Sequence, residues 1–333
     1  MTVVKKVDLA VYRENLKHIM QTMAPARVMA VVKADAYGHG LVEVATAAVE
    51  AGIEMLGVLD IETGLALRKA GVRSPSFAWL HSPQSNFNSA VKAEIELSVS
   101  SLAELKAVAS ALGTAKVHLK IDTGLSRNGC RVENWSALVK AAIELQRQGE
   151  ISVVAIWSHL AGASKEEDLE AIALFENAYQ VALTHGFSGY RHIAASPASF
   201  SLPESRFEMV RIGVSAFGTS PVSQIPAEEF GLQSPMAVET EVTAEGIIAV
   251  GFLHGFFSQL SNKTEVVIDG VGYRVLEVGP LASKIETGDY AIGSTVEVFG
   301  GKAISAEHLC ELVNTVTDEL FTGLKADSVT YAN

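Results

Sequence analysis

Cysteine is nearly missing: the chain has only Cys130 and Cys310 in 333 residues. No Cys-x-x-Cys pair exists, so neither a disulfide framework nor a zinc–thiolate site is expected, and a reducing cytoplasm is the expected compartment. Positive charge is also short. With 26 Lys and Arg against 38 Asp and Glu, the formal charge is 26 − 38 = −12, which argues against a nucleic-acid partner. No apolar run reaches the roughly 18 residues of a spanning helix. The opening MTVVKKVDLAVYRENLKH lacks the apolar core of a signal peptide. Also lacking are a Pro- or Ser-rich linker, a long-period repeat and any low-complexity tract. Hydrophobic residues make up 48% and charged residues 19%, a globular composition that excludes general disorder.

What is present is alternation. Short apolar runs rich in β-branched residues occur at 28–32, 54–59, 77–80, 96–100, 116–121, 152–157, 190–194 and 207–212. Their length favours buried strands. Helix-period stretches lie between most of them, at 41–51, 101–112, 133–148 and 166–186. Ser101 followed by Glu104 has the spacing of a capping box. Eight such units in about 215 residues predict a closed (β/α)8 TIM barrel, with an open doubly wound sheet as the other arrangement.

Beyond residue 222 the texture changes. SPMAVETEVTAEGIIAVGFLHGFF, TEVVIDGVGYRVLEVG and GSTVEVFGG alternate apolar and polar residues, and Asp269-Gly270 has hairpin chemistry. The expected organisation is a barrel at 7–222 and a mostly antiparallel β domain at 223–333, which takes in residues 1–6 if the first strand joins it.

The sharpest motif is VVKADAYGHG at 31–40. Lys33 falls at the C-terminal end of the first barrel strand, the end that faces the active site in such barrels. A lysine there can form a Schiff base with a carbonyl, notably that of pyridoxal phosphate. Tyr37 and the glycines fall where a phenol and backbone amides can meet a phosphate. By spacing alone, a surface lysine at a strand end is an equal reading.

The motif is similar to V-V-K-A-N-A-Y-G-H-G, the pyridoxal-phosphate lysine motif of the alanine racemase family. The resemblance continues in order through HLKIDTGLSRNGC (118–130), WSHLAGA (157–163), HIAASPAS (192–199) and FEMVRIGVSAFG (207–218). It implies a barrel plus β domain, a pyridoxal phosphate cofactor, an amino-acid substrate and a homodimer with the site at the subunit interface. It implies that Lys33 bonds the cofactor and serves as one acid/base group. By the same resemblance Arg211 would face the pyridine nitrogen, which a guanidinium cannot protonate, so the electron sink would be weak. Tyr37, Ser196 and the backbone of Gly213 and Val214 would hold the phosphate. Arg127 would meet the phenolic oxygen and the substrate carboxylate, Lys120 would position Arg127, and His159 would lie across the cofactor from Lys33.

The resemblance breaks in the β domain. The family's second base is a tyrosine in I-G-Y-A-D-G, and the matching VGFLHG (250–255) holds Phe252. Phenylalanine carries no proton to exchange. The S-M-D segment has no clear counterpart near 275–284, the Y-E-x-L stretch falls on DELFTGLKADS (318–328), and a family hairpin is missing between 243 and 245. A replacement base is needed for racemisation. His254, two residues from Phe252 and on the same face if the segment is a strand, is the candidate. Tyr273 and Tyr290 are weaker ones. The expected function is a racemase or epimerase with an altered second base. The alternatives are another reaction at Cα or Cβ, or binding of pyridoxal phosphate without turnover. Phe252, Phe256 and Phe257 point to a side chain other than alanine's. His308 and Cys310 are read as structural, and no metal is expected.

Overall fold

The computed structural model describes residues 2–82 and 84–333, which form two compact units. One unit contains residues 19–33 and 48–213. Its eight strands run Arg27–Val31, Met55–Leu59, Ser76–Ala78, Ile95–Val99, Ala115–Lys120, Ile151–Trp157, Tyr190–His192 and Met209–Ile212. Each pairs in parallel with its neighbour, and Met209–Ile212 returns to Arg27–Val31 with Met29 opposite Arg211. A bridge between Ala195 and Arg211 closes the ring. The eight apolar runs thus become the eight staves of a TIM barrel; an apolar run bounded by helices buries both faces only in such a parallel sheet.

The barrel interior carries Met29, Met55, Phe77, Trp157 and Met209 as one cluster, with Trp79 and Tyr190 packed against it. The helices form as their periodicity predicts, including Val132–Arg147 and Lys165–Thr184. The capping box is only half made. Ser101 Oγ accepts from Glu104 N at 3.1 Å, but the Glu104 carboxylate accepts from Ser100 N and Oγ, one residue early.

The second unit contains residues 1–18, 34–47 and 214–333, of which residue 1 lies outside the described residues. Six antiparallel strands close on themselves, from Met236–Ala244 through Thr295–Phe299, Glu265–Ile268, Val271–Val278 and Ser283–Ile285 to Ile247–Ile248 and back. The strand Val4–Asp8 adds antiparallel to Met236–Ala244, and Ser328–Ala332 adds parallel to Val4–Asp8. Asp269 and Gly270 both take positive φ, 51° and 82°, in the hairpin that joins Ile268 to Val271. Two short helices, Ala306–Val313 and Thr317–Gly323, break the expected run of strands.

One expectation fails here. The stretch 247–257 alternates like a strand, yet pairing ends at Ile248. Phe252–His254 is a 3-10 turn, closed by Gly255 at φ 90°. Phe252 N and Leu253 N donate to Gly279 O and Pro280 O, and a Cβ on Gly251 would meet Gly279 O at 2.3 Å. Glycines that allow this close backbone approach override the alternation. No helix among the described residues is long and apolar enough to cross a membrane.

The barrel core supplies a stability test. Phe77 is fully buried at its centre. Phe77→Ala should cost about 3–5 kcal/mol, read as a lowered denaturant midpoint with an unchanged slope.

Candidate active site

Lys33 stands just past the C-terminal end of the first barrel stave, separated from it by Val32. The residues after it do something unusual. Ala34, Asp35, Ala36 and Tyr37 all have φ between 51° and 54° and ψ between 41° and 55°, a full left-handed turn. L-residues adopt this at a cost of about 1–2 kcal/mol each. The turn is held from within its own unit. Gly40 N donates to Asp35 O, Leu41 N to the Asp35 carboxylate at 2.8 Å, and Lys5 Nζ to Gly38 O at 3.1 Å. The buried His39 ring places Nδ1 2.9 Å from Tyr37 O and 3.2 Å from Ala36 O. Two carbonyls accept only, so Nδ1 carries the proton. Gly38 is required, because a Cβ would meet Phe321 O at 2.3 Å. Tyr37 is buried, its ring 5.4 Å from that of Phe217, and burial with the nearby Asp318 pushes its phenol up.

Arg211 sits on the last stave and is buried. Burial pushes it down to about 9, so it stays cationic at neutral pH. No carboxylate pairs with it among the described residues. Instead Nη1 donates to His192 Nδ1 at 2.9 Å. Nη2 reaches Ser158 O at 2.9 Å, Ile193 O at 2.8 Å and His159 Nδ1 at 3.0 Å. Its Nε–H meets no acceptor among the described residues. His192 Nε2 in turn lies 2.9 Å from His118 Nδ1, and His118 Nε2 lies 2.8 Å from Glu96 Oε2.

His159 stands among positive groups. Burial, then Arg211, Arg127, Lys120 and Lys33, hold its pKa down to about 3. Lys120 lies over the Trp157 ring, its Nζ 4.2 Å from the centroid. Burial, with Arg211 and Arg127 next, lowers Lys120 to about 8. Arg127 itself is exposed. Just past the C-terminal end of the same stave as Arg211, Gly213 N donates to Ser196 Oγ at 3.2 Å. Ser196 opens the helix Ser196–Ser201, and Ala195 occupies the cap position. Val214 begins a 3-10 turn, Val214–Phe217, in the second unit.

The barrel unit thus gathers Lys33, Lys120, Arg127 and Arg211 about His159. His254 belongs to the second unit. Because Phe252–His254 is a turn, the two side chains do not share a strand face, which corrects the geometric argument for His254. Its Nδ1 accepts from Gly251 N at 3.1 Å. Tyr273 and Tyr290 pack edge to face at 4.8 Å, and Tyr290 Oη donates to Glu286 O. His308 is exposed beside Glu311, Cys310 is buried, and no group of three or more His, Cys, Asp or Glu among the described residues is placed to hold a metal. The sequence reading missed Glu96, His118 and His192. Its available signal was Lys116-x-His118-x-Lys120, three polar residues on one face of a strand.

Three buried histidines, His39, His118 and His192, and the half-buried His159 have pKa values held below the usual 6.5, chiefly by loss of solvent. Well above 6.5 both folded and unfolded chains leave them neutral. As pH falls through 6.5 the unfolded chain binds protons that the native one refuses, so stability is lost. The slope approaches a limit of about 1.4 kcal/mol per pH unit for a histidine that stays neutral in the folded chain. Denaturant unfolding at pH 7.5, 6.5 and 5.5 should show a small loss over the first interval and a larger one over the second.

Comparison with known proteins agrees with this architecture. Residues 7–221 match the family described as alanine racemase, N-terminal domain, and residues 229–331 match alanine racemase, C-terminal domain. The alanine racemase of Beutenbergia cavernae is 38% identical over 277 residues, spanning 80% of this chain and 73% of that protein. The one from Mycolicibacterium vanbaalenii is 34% identical, spanning 95% of this chain and 90% of that one. The crystal structure of alanine racemase from D-cycloserine-producing Streptomyces lavendulae superposes with a TM-score of 0.94 at 28% identity, over 100% of this chain and 97% of that one. By both halves of its sequence and by its fold, the chain belongs to the alanine racemase family of pyridoxal-phosphate-dependent isomerases.

Proposed function

We propose that this chain is a pyridoxal-phosphate-dependent amino-acid racemase or epimerase with an altered second acid/base. The observation that carries the reading is the cationic cluster of Lys33, Lys120, Arg127 and Arg211 acting on His159 at the barrel end. Such a cluster, in a chain of net charge −12, suits an anionic cofactor and a carboxylate substrate. The Arg211 Nε–H without a protein acceptor fits a ring nitrogen that accepts a hydrogen bond. When bound, pyridoxal phosphate makes the Cα–H of an attached amino acid acidic.

Each residue then has a part. Lys33 would bond the cofactor and move a proton at Cα on one face. Arg211 would donate to the pyridine nitrogen without protonating it. Tyr37, Ser196 and the amides of Gly213 and Val214 would hold the phosphate. Arg127 would orient the substrate carboxylate, Lys120 would position Arg127, and His159 would line the side away from Lys33. The second face of Cα needs a group of its own. Phe252 occupies the place of the usual tyrosine and is 45% exposed. His254 is our candidate for that role. With Nδ1 accepting from Gly251, its neutral ring carries the proton on Nε2. Phe252 also favours a second reading, another reaction at Cα or Cβ that needs one face only. We further propose a division near 222/223, with residues 1–6 in the β domain, a cytoplasmic homodimer with the site at the subunit interface, and a substrate larger than alanine.

The test is NMR of the protein loaded with pyridoxal phosphate, with a panel of amino acids in D2O and chirality read at the end. Loss of the α-proton signal with appearance of the enantiomer is expected, and Lys33→Ala should abolish it. Exchange with retained chirality, or a new product, defeats racemisation. A companion variant addresses the second base. Phe252→Tyr should raise alanine racemisation by about 100-fold, the scale of a placed acid/base group. No gain would exclude position 252 as the missing place.

A further inference from the structure

Arg211 can only donate hydrogen bonds. His192 Nδ1, 2.9 Å from Nη1, must therefore present a lone pair, and its proton sits on Nε2. That proton points at His118 Nδ1, which must accept, so His118 carries its own proton on Nε2, facing Glu96 Oε2 at 2.8 Å. The direction of every bond from Arg211 to Glu96 follows. A protonated His118 is excluded, because its Nδ1–H would face the Nε2–H of His192. Glu96 thus meets a neutral ring. Burial pushes its carboxyl up, but the hydrogen bond from His118 and the nearby Lys116 act the other way and hold it low.

Packing fixes the rings in place. His118 stacks on Phe77 at 4.0 Å and His192 on Trp157 at 5.6 Å. Lys116, His118 and Lys120 alternate on one strand and so share the barrel's inner face. Lys116 Nζ lies 3.7 Å from Glu96 Oε1, its side chain 56% exposed, so the line of groups runs from Arg211 to solvent.

We propose that Glu96 is a positioning residue that acts on Arg211 through His118 and His192. Its carboxylate is the terminal acceptor that locks both histidines as the Nε2–H tautomer, which keeps a lone pair of His192 aimed at the guanidinium. A carboxylate that orients a histidine, which in turn orients a functional group, is a general device. The consequence for turnover rests on the assignment of Arg211 to the cofactor; the tautomer lock does not.

The test is 15N NMR of the full-length protein with labelled histidine, recorded without cofactor at pH 7.5. His118 and His192 should each show a protonated Nε2 and a bare Nδ1. Glu96→Gln keeps an acceptor and should preserve that pattern. Glu96→Met removes it and should shift both rings. If Glu96→Met does not fold, His118→Phe keeps the stacking on Phe77 and should shift His192 alone. A wild-type His192 protonated at Nδ1, a charged His118, or unchanged rings in the variants overturns the lock. In the loaded enzyme, kcat should fall about tenfold in Glu96→Met with KM nearly unchanged, and Glu96→Gln should restore most of it. Adding Glu96→Met to His118→Phe should cost nothing more, since the two act as one unit. Shifted rings with unchanged kcat overturn the action on Arg211.

Discussion

A guanidinium buried without a carboxylate is the constraint on which the site depends. Arg211 has no counter-ion at contact distance among the described residues, and it loses its water on burial. Such a group is tolerated only when neutral acceptors surround it. Two backbone carbonyls and two imidazole lone pairs provide them. Each imidazole is thereby forced neutral and into one tautomer. Ser158, Ile193 and the two histidines lie at the ends of adjacent staves, so barrel geometry and hydrogen-bond demand specify each other.

Unfavourable energy is stored in two further forms, one in each unit. Four cationic side chains act on one imidazole, and four successive residues take left-handed backbone angles just after Lys33. Neither arrangement stabilises the fold. Both persist because neighbouring contacts over-determine them: His39, Asp35 and Gly40 for the turn, and the apolar cluster around Phe77 for the barrel. Backbone strain and like charge tolerated on a well-packed scaffold are common where residues serve function.

The barrel was legible because eight short apolar runs separated by helical periods admit few other burial schemes. The hairpin at Asp269-Gly270 was legible because only a primed turn suits that pair. The helix Leu9–Met23 went unread although Leu9, Tyr12, Leu16, Ile19 and Met23 mark a buried stripe at helical spacing. The left-handed turn was not readable: Ala-Asp-Ala-Tyr has no intrinsic preference for it, and hydrogen bonds with His39, Gly40, Leu41 and the distant Lys5 hold it. His254 was misplaced because alternation alone cannot reveal that Gly251 must approach Gly279. Glu96, His118 and His192 were hidden inside runs that looked merely apolar, since a barrel interior, unlike an ordinary core, accepts polar residues that face one another. Lys33 was ambiguous by spacing, and only the length of the resembling motif made it specific.

The closure of the barrel has a bearing on how the chain folds. Arg211 lies opposite Met29, so the stave that carries it is anchored by the pairing of greatest sequence separation in the ring. Loop closure of that span is entropically the most demanding step and is expected late. A partly folded chain with seven staves in place would hold His159 and His192 but would lack the guanidinium that donates to both. The hydrogen-bond order of this barrel end is thereby completed only when the last seam is sealed.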